Sequence, residues 1–412
     1  MPDALAELAS RFGTPLYVQD LDPIQGRVDE LHAFDVVRYA VKANPSLAVL
    51  RAMRAAGTVV DCVSEGEIRR ALAAGFEPEE ITFTSDLFER RTLDLVASSG
   101  VNVNLGSSDM IEQYAQADAR REITIRVNPG FGHGHNQRVN TGRASSKHGI
   151  WHEELPVAVR RARASGLEIT GLHLHIGSGS DLAHLRKVAD AVMKHVDQIG
   201  SSIETVSAGG GLPVAYREGD RPLDVSALSA VWADARERIS EAVGHSIQLE
   251  VEPGRFLVAR EGVLLAEVRA VKRVGELPWV LVDAGFHTLA RPMLYGAYHR
   301  ISVLGKESEP ATPTVVAGPL CESADVFTQT AAGEVETRLL PECRTGDLLC
   351  FHGTGAYGSS MASHYNSMPI AAEVVIEGSQ PRLSRPRTDL EAQFSSELEL
   401  LIGNSLARQR DR

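Results

Sequence analysis

From Val36 to Arg255, short β-branched runs that end in small or polar residues alternate with longer stretches of helical periodicity. The runs are Val36–Asn44, Val59–Ser64, Ile81–Ser85, Val101–Ser107, Ile123–Pro129, Ile169–Ser178, Ile203–Gly211 and Ile247–Arg255, with alanine-rich segments such as Glu67–Ala74 and Leu155–Ser165 between them. Strand alternating with helix implies a parallel sheet. Eight such units predict an α/β closed (β/α)8 TIM-like barrel, with an open doubly wound sheet as the alternative. After Arg255 the helices drop out and strand-like runs follow at Val263–Val274, Trp279–Asp283, Thr314–Ala317, Asp347–His352 and Glu373–Ile376. They predict a second, C-terminal β-rich domain. Pro15–Asp20 is also strand-like. Residues 1–24 are therefore expected to join residues 259–412, leaving 25–258 to the barrel. Charge-rich Ser384–Arg412 is expected to end in a surface helix and a solvated tail without assigned function.

Barrel enzymes gather their chemistry where strands end and βα loops begin. In chain order those ends carry Lys42 and Asn44, Asp61 and Ser64, Ser85, Ser107, Arg126 and Asn128, His175 and Ser178, Gly209–Gly211, then Glu252 and Arg255. Any one serine here reads as a helix cap. A lysine ending a buried strand loses hydration, which lowers its pKa and makes it a nucleophile toward carbonyls, although a snorkelling lysine fits the same position. The turns at Gly209–Gly211 and after His175 offer backbone N–H groups without side-chain obstruction, as phosphate sites require, while a single glycine run is more often a tight turn. Glu252 either pairs with Arg255 or faces a ligand, and His175 is either a core histidine or a stacking face.

Charge and composition narrow the ligand. With 54 acidic against 42 basic residues the chain lacks the basic surface that nucleic acid requires, so a small polar substrate is expected. No apolar run approaches the roughly eighteen residues of a membrane span and the N-terminus lacks a leader pattern, so a cytoplasmic protein is expected. The four cysteines, Cys62, Cys321, Cys343 and Cys350, form no CxxC pair and are expected to be reduced. His133 and His135 invite a metal reading, but no ligand set at metal spacing accompanies them, and none is assigned.

Several ordered stretches carry a resemblance: Arg126 to His135, Ser146-Lys-His-Gly-Ile150, His173-Leu-His-Ile-Gly-Ser178, Glu252-Pro-Gly-Arg255, Val282-Asp-Ala-Gly-Phe286, Arg291 to His299, Gly318-Pro-Leu-Cys-Glu-Ser323 and Gly355-Ala-Tyr357. Over nearly its whole length the chain resembles the bacterial diaminopimelate decarboxylases, fold-type III enzymes that use pyridoxal 5′-phosphate (PLP). The resemblance implies that Lys42 holds PLP as a Schiff base and that His175 stacks on its ring. It implies that Ser178, the Gly209, Gly210 and Gly211 turn and Gly254 surround the phosphate, that Glu252 pairs with the pyridine nitrogen, and that Asp61 and Arg255 belong to the cofactor site. Tyr357 is expected to reach phosphate and substrate. Arg255, Arg291, Tyr295 and Glu322 are expected to hold the substrate's distal end, and Cys321 to donate a proton to the decarboxylated carbon. Because the family supplies Cys321 and Glu322 across a subunit interface, a homodimer with shared active sites is implied, acting on meso-diaminopimelate to give L-lysine.

Three positions depart from that family's pattern: His287-Thr288 stands for Asn-Asp, Ala324 for glycine and Met368 for arginine. They leave open a decarboxylase of D-lysine, D-ornithine or a specialised intermediate. A racemase with the same two domains would place an arginine at the pyridine nitrogen, which Glu252 disfavours. A non-catalytic PLP-binding protein would be a barrel alone.

Overall fold

Period-two alternation runs through the barrel strands and decides which side chains point inward. The computed structural model describes residues 2–117, 119–132, 142, 146–177 and 181–410, with backbone alone for 403–410. They form two units, residues 21–260 and residues 1–20 with 261–412. β1 (Leu16–Asp20) lies in the second. The first holds β2 (Val36–Ala40), β3 (Val59–Cys62), β4 (Ile81–Ser85), β5 (Asn102–Leu105), β6 (Glu122–Asn128), the two-residue β7 (Ile150–Trp151), β8 (Glu168–Leu174), β9 (Thr205–Ser207) and β10 (Gln248–Val251). Eight strands pair in parallel in the order β5-β4-β3-β2-β10-β9-β8-β6, with β7 appended to β6. β6 returns to β5 through Asn104↔Thr124 and Leu105↔Ile125. That pairing closes the cylinder, so the barrel forms and the open-sheet alternative is excluded.

Val60 and Cys62, Ile81 and Phe83, and Val103 and Leu105 are the buried apolar members of β3, β4 and β5, facing the surrounding helices. The alternate positions point into the barrel and are polar: Arg38, Asp61, Thr82, Asn104, Ser207 and Glu250 are all buried. Barrel interiors are ordinarily filled by branched apolar side chains. Here Arg38 and Glu250 form a two-pronged ion pair, with Nη2 2.6 Å from Oε1 and Nε 3.1 Å from Oε2. Buried charges persist only when paired in this way.

The second unit adds β11 (Gly262–Val274), β12 (Leu277–Val282), β13 (Ile301–Val303), β14 (Ala311–Ala317), β15 (Arg338–Pro341), β16 (Leu348–His352), β17 (Ala372–Glu377) and β18 (Gln380–Arg385). β1 is inserted between β11, antiparallel with Leu16 opposite Leu265, and β17, parallel with Leu16 opposite Ala372. Both faces of this sheet are covered. Leu264, Ala266, Val268, Tyr17 and Phe351 pack into one apolar cluster, while Leu265, Leu16, Val18 and Cys350 pack into another with Leu8 and Ala9 of helix Pro2–Phe12. Burying a side chain of the size of Leu264 or Phe351 contributes about 1.5–3 kcal/mol. A helix at Ser395–Arg410 ends the described chain.

Candidate active site

β2 stops at Ala40, and Val41–Ala43 turn as one 3-10 loop that lifts Lys42 past the last ladder pair. Lys42 is exposed. This corrects the expectation of a desolvated strand-end amine, because the turn carries the side chain beyond the sheet. The turn is pinned from the neighbouring loop: Ala40 N–H donates to the Pro253 carbonyl at 3.1 Å, and a Cβ on Gly254 would stand 3.0 Å from the Cβ of Ala43. Gly254 therefore serves close packing against the lysine turn.

Glu252 follows β10 and is tied on both oxygens. His173 Nε2 lies 2.8 Å from Oε2, and Ser207 Oγ donates to Oε1 at 2.7 Å. Although burial opposes the charge, His173 and Ser207 hold this carboxyl below the usual carboxylate range. Its neighbour Asp61 behaves oppositely. Burial, with the charge of Glu252 adding, pushes Asp61 up to about 6. Its Oδ1 has no hydrogen-bond partner among the described residues. Arg255 donates to the Tyr216 hydroxyl at 3.0 Å.

The glycine turn is used differently from a bare phosphate nest. Gly209 N–H donates to Ser207 Oγ and Gly210 N–H to His175 Nδ1, both at 3.1 Å, so those two donors already serve the protein. The glycines are required by space: a Cβ at Gly209, Gly210 or Gly211 would strike the carbonyl of Leu174, Glu252 or Gly177 respectively. Gly209 and Gly211 also have φ of +65° and +90°. Accepting from Gly210 fixes the His175 tautomer with its proton on Nε2, and burial with nearby Arg126 and Lys42 holds it neutral, well below the usual histidine range. Ser178, His133 and His135 lie outside the described residues. Among those described, no cluster of three or more potential ligands could hold a metal. Ser64 and Ser107 are helix caps, accepting from the N–H of Glu67 and Met110.

Within the second unit, Arg291 is buried at the head of the short helix Arg291–Tyr295, and its Nη1 lies 2.8 Å from His299 Nε2. His299 Nδ1 donates to the His352 carbonyl at 2.8 Å, which leaves Nε2 as an acceptor for the guanidinium. Cys321 is exposed, and its N–H donates to Asn366 Oδ1 at 3.0 Å. Its loop is anchored by buried Asp325, which accepts from Phe286 N–H at 2.6 Å and Leu320 N–H at 2.8 Å. Glu322 accepts from Ala324 N–H at 3.1 Å, and Tyr357 holds a left-handed φ of 57°. His287 and Thr288 are buried and bonded to each other at 2.9 Å.

Sequence reasoning missed His173, Ser207, Arg38 and Glu250, which sit at inward-facing strand positions. Their polarity at every second residue of otherwise apolar strands was the available signal. It also missed Glu67, which burial pushes up to about 7 within the electrostatic reach of Asp61 and Lys42.

The barrel-mouth residues fit PLP. An exposed amine suits the aldehyde, and a buried anion with both oxygens fixed suits a protonated ring nitrogen. Residues 25–259 match the family model "Pyridoxal-dependent decarboxylase, pyridoxal binding domain". Fold, site and match define a pyridoxal-dependent carboxy-lyase with PLP as its cofactor. Diaminopimelate decarboxylase of Escherichia coli K12 is 48% identical over 403 residues, 96% of each chain. A crystal structure of diaminopimelate decarboxylase superposes with a TM-score of 0.94 at 47% identity, covering 97% of both chains. The Helicobacter pylori diaminopimelate decarboxylase complexed with L-lysine gives 0.85 at 31%, covering 96% of this chain and 99% of that one. The chain belongs to the diaminopimelate decarboxylase family.

Proposed function

We propose that this protein decarboxylates meso-2,6-diaminopimelate to L-lysine and carbon dioxide, a step of lysine biosynthesis. The observation that carries this reading is the end-to-end similarity to diaminopimelate decarboxylases, one of them solved with L-lysine. Lys42 supplies the amine that attaches the cofactor covalently. Bound PLP supplies an electron sink for the pair left at Cα when the carboxyl group departs. Glu252, anionic between His173 and Ser207, faces the ring nitrogen, and neutral His175 presents its ring face. Ser178, Gly209–Gly211, Gly254, Arg255 and Tyr357 surround the phosphate side, with Asp61 beside Glu252.

Arg291, oriented by His299, binds the distal carboxylate together with Arg255, since guanidinium pairs with carboxylate in a fork. Tyr295, Tyr357 and Glu322 complete the grip, Glu322 on the distal amino group. Cys321 gives its thiol proton to the carbon that lost its carboxyl group. Two copies form a homodimer in which Cys321 and Glu322 serve the partner's site. Among the described residues no helix is long and apolar enough to cross a membrane, and a cytoplasmic location accords with a biosynthetic role.

The test is carbon dioxide release by the PLP-loaded protein with meso-diaminopimelate beside D-lysine, D-ornithine, L-lysine and L-ornithine. Release from meso-diaminopimelate alone, with lysine formed, is the expected result. Release from a basic D-amino acid instead would overturn the substrate and assign the change to the surroundings of His287-Thr288, Ala324 and Met368.

A further inference from the structure

Beneath Glu252 the barrel is hollow. A cavity of about 330 Å³ runs from exposed Glu122 and Gln248 at the strand starts, past half-buried Thr124 and Thr170, to buried Asn104 and His173. The opening faces away from Lys42, because all eight strands run in parallel and Lys42 follows a strand end. Polar linings of this kind hold water, since dry polar groups are costly.

His173 stands at the inner end of this shaft with only 1% of its surface exposed. A carboxylate only accepts hydrogen bonds, so the proton shared with Glu252 resides on His173 Nε2. Nδ1 is the ring's other nitrogen. It is buried and has no hydrogen-bond partner among the described residues. A buried histidine bonded to a carboxylate through one nitrogen holds that carboxylate in place. Ser207 secures the second oxygen.

We infer that His173 is the positioning residue that keeps Glu252 anionic and aligned. This rests on the reading that Glu252 faces the cofactor's ring nitrogen. The other groups near Glu252 are Asp61, His175 and Arg38. His173 and Ser207 hydrogen-bond to its two carboxylate oxygens.

The test compares holoenzymes carrying His173→Leu, His173→Asn, His173→Gln and Glu252→Gln by the absorbance spectrum of the bound cofactor from pH 6 to 9 and by kcat and KM separately. Loss of one charge-assisted hydrogen bond is expected to lower kcat about 10- to 100-fold in His173→Leu. KM should stay within about twofold, and the spectrum should shift in the direction set by Glu252→Gln. His173→Gln, which keeps a donor within reach, should recover most of both. His173→Asn is polar but too short, and it serves in place of leucine if that variant does not fold. Wild-type spectra and kcat in His173→Leu or His173→Asn, beside an altered Glu252→Gln, would refute the role of His173 and leave that of Glu252 standing. A silent Glu252→Gln would refute the underlying reading instead.

Discussion

The two units bury their interiors in opposite ways. The β-rich unit packs Leu264, Val268, Phe327 and Phe351 into a dry cluster, with the Phe327 and Phe351 rings 4.5 Å apart. The barrel buries Arg38, Asp61, His173, Ser207 and Glu250 inside its cylinder and keeps its apolar side chains outside. An apolar core stabilises a fold by area alone. A polar core costs desolvation and returns fixed charges at fixed places, which is what a cofactor site needs. Substitutions at the exposed strand ends of the barrel should therefore separate activity from stability, and substitutions in either buried core should not.

The largest effect is expected for Lys42→Ala. Turnover should fall at least about a thousand-fold, and borohydride should no longer fix the cofactor to the chain. Because Lys42 is exposed, the unfolding midpoint of the cofactor-free protein should barely move. Phe351→Ala is the counterpart and should cost about 3–5 kcal/mol in denaturant unfolding. Arg38→Met and Glu250→Leu alone should each cost a similar amount, about 3–5 kcal/mol, while the double variant recovers most of it. An additive double variant would show that the buried pair is not coupled.

Asp61 supplies a pH signature. Since burial raises it to about 6, the folded protein holds its proton more tightly than the unfolded chain does. Its favourable contribution is complete below about pH 4, the ordinary aspartate range, and is lost as pH rises through about 6. Asp61→Asn should therefore raise the cofactor-free midpoint relative to wild type at pH 8 and leave it unchanged at pH 4. The smallest effect is expected for His299→Leu, which removes the acceptor that orients Arg291. KM for diaminopimelate should rise about tenfold with kcat held, and an unchanged KM would show that Arg291 keeps its place without it.

The outer face of the barrel was legible because apolar residues recur at every second strand position between helical segments, and the lysine and glutamate loops stand at strand ends. The inner face was not. Arg38 and Glu250 are 212 residues apart, and only closure of the cylinder brings them together. The glycine turn was placed, but its contact with the loops of Leu174 and Glu252, which excludes side chains there, appears only in the fold. In the β-rich unit, Ile301–Val303 and Arg338–Pro341 are too short to show alternation, and Gln380–Arg385 is polar enough to merge with the charged tail.

The insertion of β1 between β11 and β17 bears on how the chain is made. Synthesis delivers residues 16–20 first, yet their partners at 262–265 and 372–376 emerge some 240 and 350 residues later. The barrel, residues 21–260, precedes both partners in the chain, ending just before the first and more than a hundred residues before the second. It is free to close during translation, while the opening segment waits. Completion of the β-rich unit waits for residues 372–376, so a chain cut short before them carries an unsatisfied leading strand, a sticky edge that exposes it to aggregation and to quality control.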